Sequence, residues 1–210
     1  GVKEKNKIIA DLEKTYGKIE VERFETVGPT VGKELTIKAI QAVAVASVVI
    51  ILYIAYAFRE IPKPYSPWKF GASAVVALLH DVLVVVGVFS ILGHFLNVEV
   101  DALFVTALLT VIGFSVHDTI VVFDRVRENL RKMIKTPFEE VVNVSILQTL
   151  VRSINTSLTA LIMMGAIIIF GGESIKWFAI ALFIGIFSGT YSSIFNAAPL
   201  LVVWEEKRSK

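Results

Sequence analysis

The chain has 210 residues, 55% of them hydrophobic, and a mean hydropathy of +0.70, whereas soluble domains are about 45–50% apolar. The formal net charge of +2 gives no indication of nucleic-acid binding, and the absence of cysteine excludes disulfides, thiol catalysis and cysteine-based metal sites. Since the apolar residues lie in long blocks, the composition predicts an integral membrane protein.

Residues 1–34 are the one sizeable polar stretch, and they predict a helix followed by a strand. Apolar residues recur at helical spacing over residues 3–15 and alternate over residues 18–27, which end at the turn dipeptide Gly28-Pro29. One helix and one strand cannot enclose a core of their own. We therefore expect residues 1–34 to be the C-terminal remnant of a small α+β domain. Because the sequence begins with Gly1 and not Met, and shows no signal-peptide pattern, we expect its N-terminus to be truncated.

Five apolar blocks follow, and each is predicted to be a transmembrane helix. Each reaches the roughly 20 residues needed to cross about 30 Å of hydrocarbon, and backbone groups in lipid must be hydrogen-bonded internally. The predicted spans cover about residues 35–58, 71–92, 101–123, 144–170 and 177–203. The expected fold is a membrane all-α protein, a five-helix transmembrane bundle preceded by the α+β remnant and followed by a tail over residues 204–210.

The basic residues predict the orientation of the bundle. Three Lys/Arg lie in residues 59–70, five in residues 124–143 and three in residues 204–210, whereas residues 93–100 have none and residues 171–176 only Lys176. Basic loops stay in the cytoplasm. The sequence thus predicts a multi-pass membrane protein with a cytoplasmic C-terminus and with residues 1–34 on the outer side.

Two aspartates lie within the predicted spans. Asp81, beside His80, is about 15 Å into the second span, and Asp118, beside His117, is about 9–10 Å from the basic end of the third. An acidic side chain at such depth costs at least about 2.5–3.5 kcal/mol, so it normally faces the bundle interior or a hydrated cavity. The alternative is a neutral, hydrogen-bonded structural carboxyl. A functional role is favoured for Asp118, and neither reading is favoured for Asp81.

Arg152 is the candidate partner of Asp118. Counted from Val144, it lies about 12 Å into the fourth span, so the two residues could share a depth. If that span begins at Arg152 instead, the guanidinium reaches to the interface, and the sequence favours neither alternative. A guanidinium near a buried carboxyl favours release of its proton, and separation of the two favours uptake. The pair is therefore a hypothetical proton switch.

Small and polar residues add two further expectations. The fourth span carries more polar side chains than a lipid-facing helix tolerates, and these either line a hydrated path or bond to neighbouring helices: Ser153, Asn155, Thr156, Ser157 and Thr159. The GxxxG of Gly185 and Gly189 predicts close helix packing in the fifth span.

Several segments together resemble the SecF family of protein-export membrane subunits. They are VGPTVGKEL at 27–35, HDVLVVVG at 80–87, VIGFSVHDTIVVFDRVRENLRK at 111–132, SINTSLTAL at 153–161 and FGGESIKWFAIALFIGIFSGTYSSIF at 170–195. The resemblance covers the chain from about residue 18 onward. It implies a six-span protein of the resistance-nodulation-division superfamily, of which this chain carries the last five spans and the end of the periplasmic domain.

The resemblance also implies a function and site residues. Such subunits pair with SecD, associate with the SecYEG channel and help to move preproteins across the membrane, using the proton gradient and no cofactor. The family's proton-pathway residues fall on Asp118 and Arg152, and His117 stands where the family usually has Asn. From their positions in the predicted spans, Asp81, His117, Asn155 and Thr156 are further candidate polar residues that support the site.

Two alternatives remain open at the level of sequence. A proton-coupled small-molecule transporter of the same superfamily would use intramembrane acids in the same way, although it would carry two repeats and large external domains in one chain. A structural scaffold would tolerate neutral substitution of Asp118 and Arg152. No P-loop, HExxH or GxSxG motif is present, so we expect a protein that is not an enzyme and holds no metal.

Overall fold

Seven α-helices make up the part of the chain that this computed structural model describes, residues 2–17 and 29–209. They are α1 (Val2–Tyr16), α2 (Pro29–Ala57), α3 (Pro67–Leu96), α4 (Ala102–Lys132), α5 (Phe138–Phe170), α6 (Glu173–Ser192) and α7 (Ala198–Ser209). A π-helical turn, Ser193–Ala197, joins α6 to α7. No strand occurs within these described residues.

The five predicted spans are confirmed. Helices long and apolar enough to cross a membrane cover Lys33–Ala57, Pro67–Leu96, Ala102–Lys132, Phe138–Phe170 and Glu173–Glu205. The predicted helix near the N-terminus is confirmed as α1. The strand expected over residues 18–27 lies outside the described residues, so the α+β remnant stays a prediction.

The helices extend beyond the apolar blocks that revealed them. α4 continues through charged residues to Lys132, nine residues beyond the predicted end of the third span. α5 begins at Phe138, six residues before the apolar block, with Glu139 and Glu140 in its first turn. Acidic side chains are favourable at a helix N-terminus because the helix dipole is positive there. The first residue of an apolar block therefore does not mark the start of its helix.

The basic loops lie together at one end of the bundle, which we call the basic end. There the Arg131 guanidinium donates to the carbonyl of Glu60 (3.1 Å), and Lys69 Nζ lies 2.8 Å from Glu205 Oε1. At the other end, the ring of Phe89 lies 4.6 Å from that of Phe104, centroid to centroid. The contacts at the basic end agree with the alternation of basic and non-basic loops in the sequence.

Close packing of α4 against α6 depends on the GxxxG glycines. A Cβ atom added to Gly185 would collide with Val111 on α4, and one added to Gly189 would lie 3.1 Å from Ser115 Cβ. Val111 and Ser115 are each about 1% exposed, so neither has free space to move into. The predicted close packing of this span is confirmed, and its contact is the middle of α4.

We expect Gly185→Ala to destabilise the bundle by about 1–3 kcal/mol, the usual cost of forcing extra volume into a packed core. For a chain of this size that is a fall of roughly 2–4 °C in Tm per kcal/mol. The measurement is thermal unfolding of the purified chain in detergent. Gly165→Ala on α5 is the matched control, since a Cβ there meets nothing within 4 Å. Equal Tm values for the two variants would contradict the packing described.

Candidate functional site

The Asp81 side chain is buried where three helices meet, at a contact that we call the Asp81 junction. Its side chain, 1% exposed on α3, accepts hydrogen bonds from Ser115 of α4 (2.6 Å) and from Ser188 (2.7 Å) and Ser192 (2.6 Å) of α6. His80 Nδ1 lies 3.1 Å from the same carboxyl group. These bonds join α3, α4 and α6 through one side chain.

Asp118 is equally buried but has far fewer partners. Its side chain, 2% exposed on α4, accepts one hydrogen bond, from Ser157 Oγ of α5 at 3.3 Å. Ser157 in turn accepts a hydrogen bond from Thr190 of α6 at 2.5 Å. Within residues 2–17 and 29–209, no other hydrogen bond or ion pair reaches the Asp118 carboxyl.

The two carboxyl groups therefore differ in their remaining capacity. A carboxylate offers about four acceptor positions. Four polar atoms surround Asp81, three of them hydroxyls at 2.6–2.7 Å, so it is saturated. Asp118, with a single long contact, keeps most of its capacity for a proton, a water molecule or a cation. The site therefore offers an unsaturated carboxyl group at Asp118 and a fixed hydrogen-bonded one at Asp81.

The contacts between α4 and α5 set the depth of Arg152. Asn129 Nδ2 donates to Ser145 Oγ (2.9 Å), and Ser157 contacts Asp118, so the two helices run antiparallel with Ser157 level with Asp118. Arg152 precedes Ser157 by five residues and thus lies about 7.5 Å along α5 toward the basic end. Its side chain is exposed, and in the described part of the chain it forms no ion pair with Asp118. The structure does not bring this predicted pair together.

The remaining predicted site residues lie on the exposed face of α4 and α5. His117 is exposed next to Asp118, and Asn155 and Thr156 are exposed next to Arg152. Thr156 Oγ1 donates back to the carbonyl of Arg152 at 2.9 Å. We call the exposed polar side chains His117 on α4 and Arg152, Asn155 and Thr156 on α5, taken together, the α4/α5 polar face. Polar groups inside a span rarely face lipid.

Several polar residues of the site were not singled out from the sequence. The hydroxyl partners of Asp81 are ordinary serines in the pattern; only the spacing of Ser188 and Ser192, four residues apart beside the GxxxG glycines, indicates a shared face. Asn129, buried near the basic end, bonds to Ser145 and also to Gln148 (2.9 Å). It lies in a stretch of the sequence rich in charged residues, where it is indistinguishable from a solvated residue.

Metal ligands do not gather in the described part of the chain. Residues 2–17 and 29–209 hold no group of three or more His, Cys, Asp or Glu side chains placed to bind one ion. The hydroxyls around Asp81 donate to it at hydrogen-bonding distance.

Known proteins resemble this chain over nearly its whole length. The family model described as "Protein export membrane protein SecD/SecF, C-terminal" matches residues 7–207. Protein translocase subunit SecF of Thermobaculum terrenum is 57% identical over 204 residues, which are 97% of this chain and 63% of the relative. Protein translocase subunit SecDF of Thermus thermophilus is 42% identical over 94% of this chain and 26% of its own length. The chain thus spans less than two thirds of the relatives it matches.

A solved structure shows the same fold. The crystal structure of SecDF, a translocon-associated membrane protein from Thermus thermophilus, matches with a TM-score of 0.80 at 40% sequence identity. The match covers 97% of this chain and 27% of that one.

We expect Asp81→Asn to destabilise the bundle, because an amide nitrogen replaces one acceptor oxygen and serine hydroxyls lose their acceptor. The expected cost is about 1–3 kcal/mol, the cost of leaving a buried donor unsatisfied. Thermal unfolding of the purified chain measures it. Asp101→Asn is the matched control: Asp101 caps α4 by accepting from Phe104 N, and Asn caps a helix equally well. A Tm loss no larger for Asp81→Asn than for Asp101→Asn would show that the hydrogen bonds to Asp81 do not stabilise the bundle.

Proposed function

Because the chain belongs to the SecD/SecF protein-export family, we propose that it is the membrane part of a SecF-type subunit of the Sec translocase. In this role it uses the proton gradient, together with SecD, to promote the movement of preproteins through the SecYEG channel. The relatives are named protein translocase subunits, which supports a transport role and no enzymatic one.

The observation that carries the proton-coupling role is the unsaturated carboxyl group of Asp118. A membrane-buried acid with one contact at 3.3 Å can take up and release a proton without breaking a network of bonds. Each proton that crosses 100 mV supplies about 2.3 kcal/mol, so useful work requires repeated steps. Asp118 is the proposed carrier of these steps.

Arg152 acts on Asp118 in this proposal through a change of conformation. About 7.5 Å along α5 separates the levels of the two residues, a little more than one helical turn. A shift of α5 by one turn, as elements make when they move past one another, brings the guanidinium level with the carboxyl group and favours loss of its proton. The exposed position of Arg152 supports this, since no ion pair within the described residues holds it in place.

A SecD subunit is the proposed cover of the α4/α5 polar face. A guanidinium, an imidazole and an amide cannot face hydrocarbon without a cost of several kcal/mol, so a protein surface must meet Arg152, His117 and Asn155. Relatives in which SecD and SecF form one chain support SecD as that neighbour. Membrane lipid covers the apolar sides of the bundle, and no feature indicates nucleic acid.

The proposed location is the cell (inner) membrane, with the basic end in the cytoplasm. The gathering of the basic loops at one end supports this orientation through the positive-inside rule. Residues 1–34 are then periplasmic and residues 204–210 cytoplasmic. A small-molecule transporter of the same superfamily is the alternative; the names of the relatives favour protein export over it.

We expect Asp118→Asn to abolish the part of preprotein export that depends on the proton gradient. The amide keeps the size of the side chain and its contact with Ser157 but cannot exchange a proton at working pH. Export into inverted vesicles, with and without an uncoupler, measures that part in the assembled translocase. Asp124→Asn is the matched control, since Asp124 lies on the same helix, is exposed and pairs with Arg127. Full proton-dependent export by Asp118→Asn would overturn the proposal.

A further inference from the structure

The structure points to a route for protons within the bundle, an inference that rests on the proposed function. We propose that a line of buried hydroxyl groups on α5 is the hydrated path between the cytoplasmic end and Asp118. Its members are Ser145, Thr149, Ser153 and Ser157, which we call the hydroxyl stripe.

The members of the hydroxyl stripe recur at every fourth residue. Each is 5% exposed or less, and the stripe runs about 18 Å along α5. Residues four apart lie one above the other on a helix, so the hydroxyls form a continuous line. Each of these buried hydroxyls requires a partner, which is a carbonyl of its own helix, another side chain or water.

The two ends of the stripe meet Asp118 and the basic end. At the deep end, Ser157 Oγ donates to Asp118 Oδ2. At the other end, Ser145 Oγ accepts from Asn129, whose amide also donates to the exposed side chain of Gln148. The stripe therefore connects the buried carboxyl group to a solvated side chain at the cytoplasmic end.

Ser153, in the middle of the stripe, distinguishes a path from ordinary helix packing. The hydroxyls of Ser145 and Thr149 donate back to carbonyls of their own helix, those of Val141 (2.6 Å) and Ser145 (3.0 Å). Ser153 Oγ is buried and has no hydrogen-bond partner among the described residues. A buried hydroxyl without a partner is unfavourable, and a bound water molecule is its usual partner.

The spacing of the stripe suits water molecules as bridges. Successive members are separated by about 6 Å along the axis of α5. Because hydrogen bonds meet at an angle at a water molecule, one water with O–H···O bonds of about 2.7–2.8 Å spans about 4.5 Å, and two waters in series cover the full distance. One or two waters between neighbouring hydroxyls thus complete a chain of hydrogen bonds from Ser145 to Ser157 and on to Asp118.

The absence of cysteine in the chain permits a direct test of this path. Thr149→Cys and Ser153→Cys are introduced singly into the assembled translocase, in inverted vesicles, and treated with a membrane-impermeant cationic methanethiosulfonate. The thiolate is the reactive form, so only a cysteine in contact with water reacts quickly. We expect both cysteines to react from the cytoplasmic side at least an order of magnitude faster than Ala77→Cys, which is buried outside the stripe.

Removal of one hydroxyl tests the use of the path. Ser153→Ala is expected to slow proton-dependent export several-fold, and Ser153→Thr, which keeps the hydroxyl, to restore it. Ser73→Ala is the matched control, because Ser73 is fully buried on α3 and donates only to the carbonyl of Phe70. Wild-type export by Ser153→Ala overturns the role of the stripe.

The outcomes separate this inference from the proposed function. If Asp118→Asn loses proton-dependent export but the stripe cysteines react no faster than Ala77→Cys, the path is wrong and the proposed function stands. If the cysteines react quickly while Asp118→Asn exports normally, the proposed function is wrong, and the stripe is hydrated but does not carry protons for export.

Discussion

The compensation of carboxyl groups buried in a membrane span is the constraint on which this bundle depends. An isolated charged group costs several kcal/mol or more in a low-dielectric interior, and hydrogen bonds to it recover part of that cost. At Asp81 the recovery comes from hydroxyls on two other helices, Ser115 on α4 and both Ser188 and Ser192 on α6. These hydroxyls reach Asp81 only when the helices are close. The glycines at 185 and 189 permit that approach, so the hydrogen bonds of Asp81 depend on these small residues.

Asp118 contrasts with this junction because its carboxyl group accepts few hydrogen bonds from the described residues. The two aspartates are equally buried, so burial alone does not separate a structural acid from an exchanging one. Their hydrogen bonds differ in number and length: Asp81 accepts on both oxygens, and Asp118 accepts a single hydrogen bond from the described residues, at 3.3 Å. In the account proposed here, the junction keeps α3, α4 and α6 in register while α5, with Arg152 and the hydroxyl stripe, moves relative to Asp118. Membership of the SecD/SecF family gives this arrangement its proposed use in protein export.

Features that depend on hydropathy or charge averaged over many residues could be predicted from the sequence. Features that depend on the relative depth of residues on neighbouring helices could not. Span number and the grouping of basic loops follow from hydropathy and charge over twenty residues or more, and the structure agrees with them. The depth of Arg152 was counted from Val144, whereas α5 begins at Phe138. Depths counted from the first residue of each apolar block cannot be compared between two helices, because charged and polar turns extend each helix by a different length.

The hydrogen-bond partners of Asp81 could not be predicted from the sequence either. A serine in a span is compatible with packing, with bonding to its own backbone and with bonding to a neighbouring helix. Only the contact of α4 with α6 selects the third alternative for Ser115 and Ser188. The positions of Asp118 and Arg152 within apolar spans, together with the family resemblance, identified them as candidate site residues, but neither carried information about which acid is saturated.

Infrared difference spectroscopy of the assembled translocase during a proton-gradient pulse tests the central claim, that Asp118 exchanges a proton and Asp81 does not. We expect a change in the carboxyl stretching band that is lost in Asp118→Asn and kept in a folded Asp81→Asn variant. A carboxyl band that persists in Asp118→Asn and disappears in Asp81→Asn would contradict it.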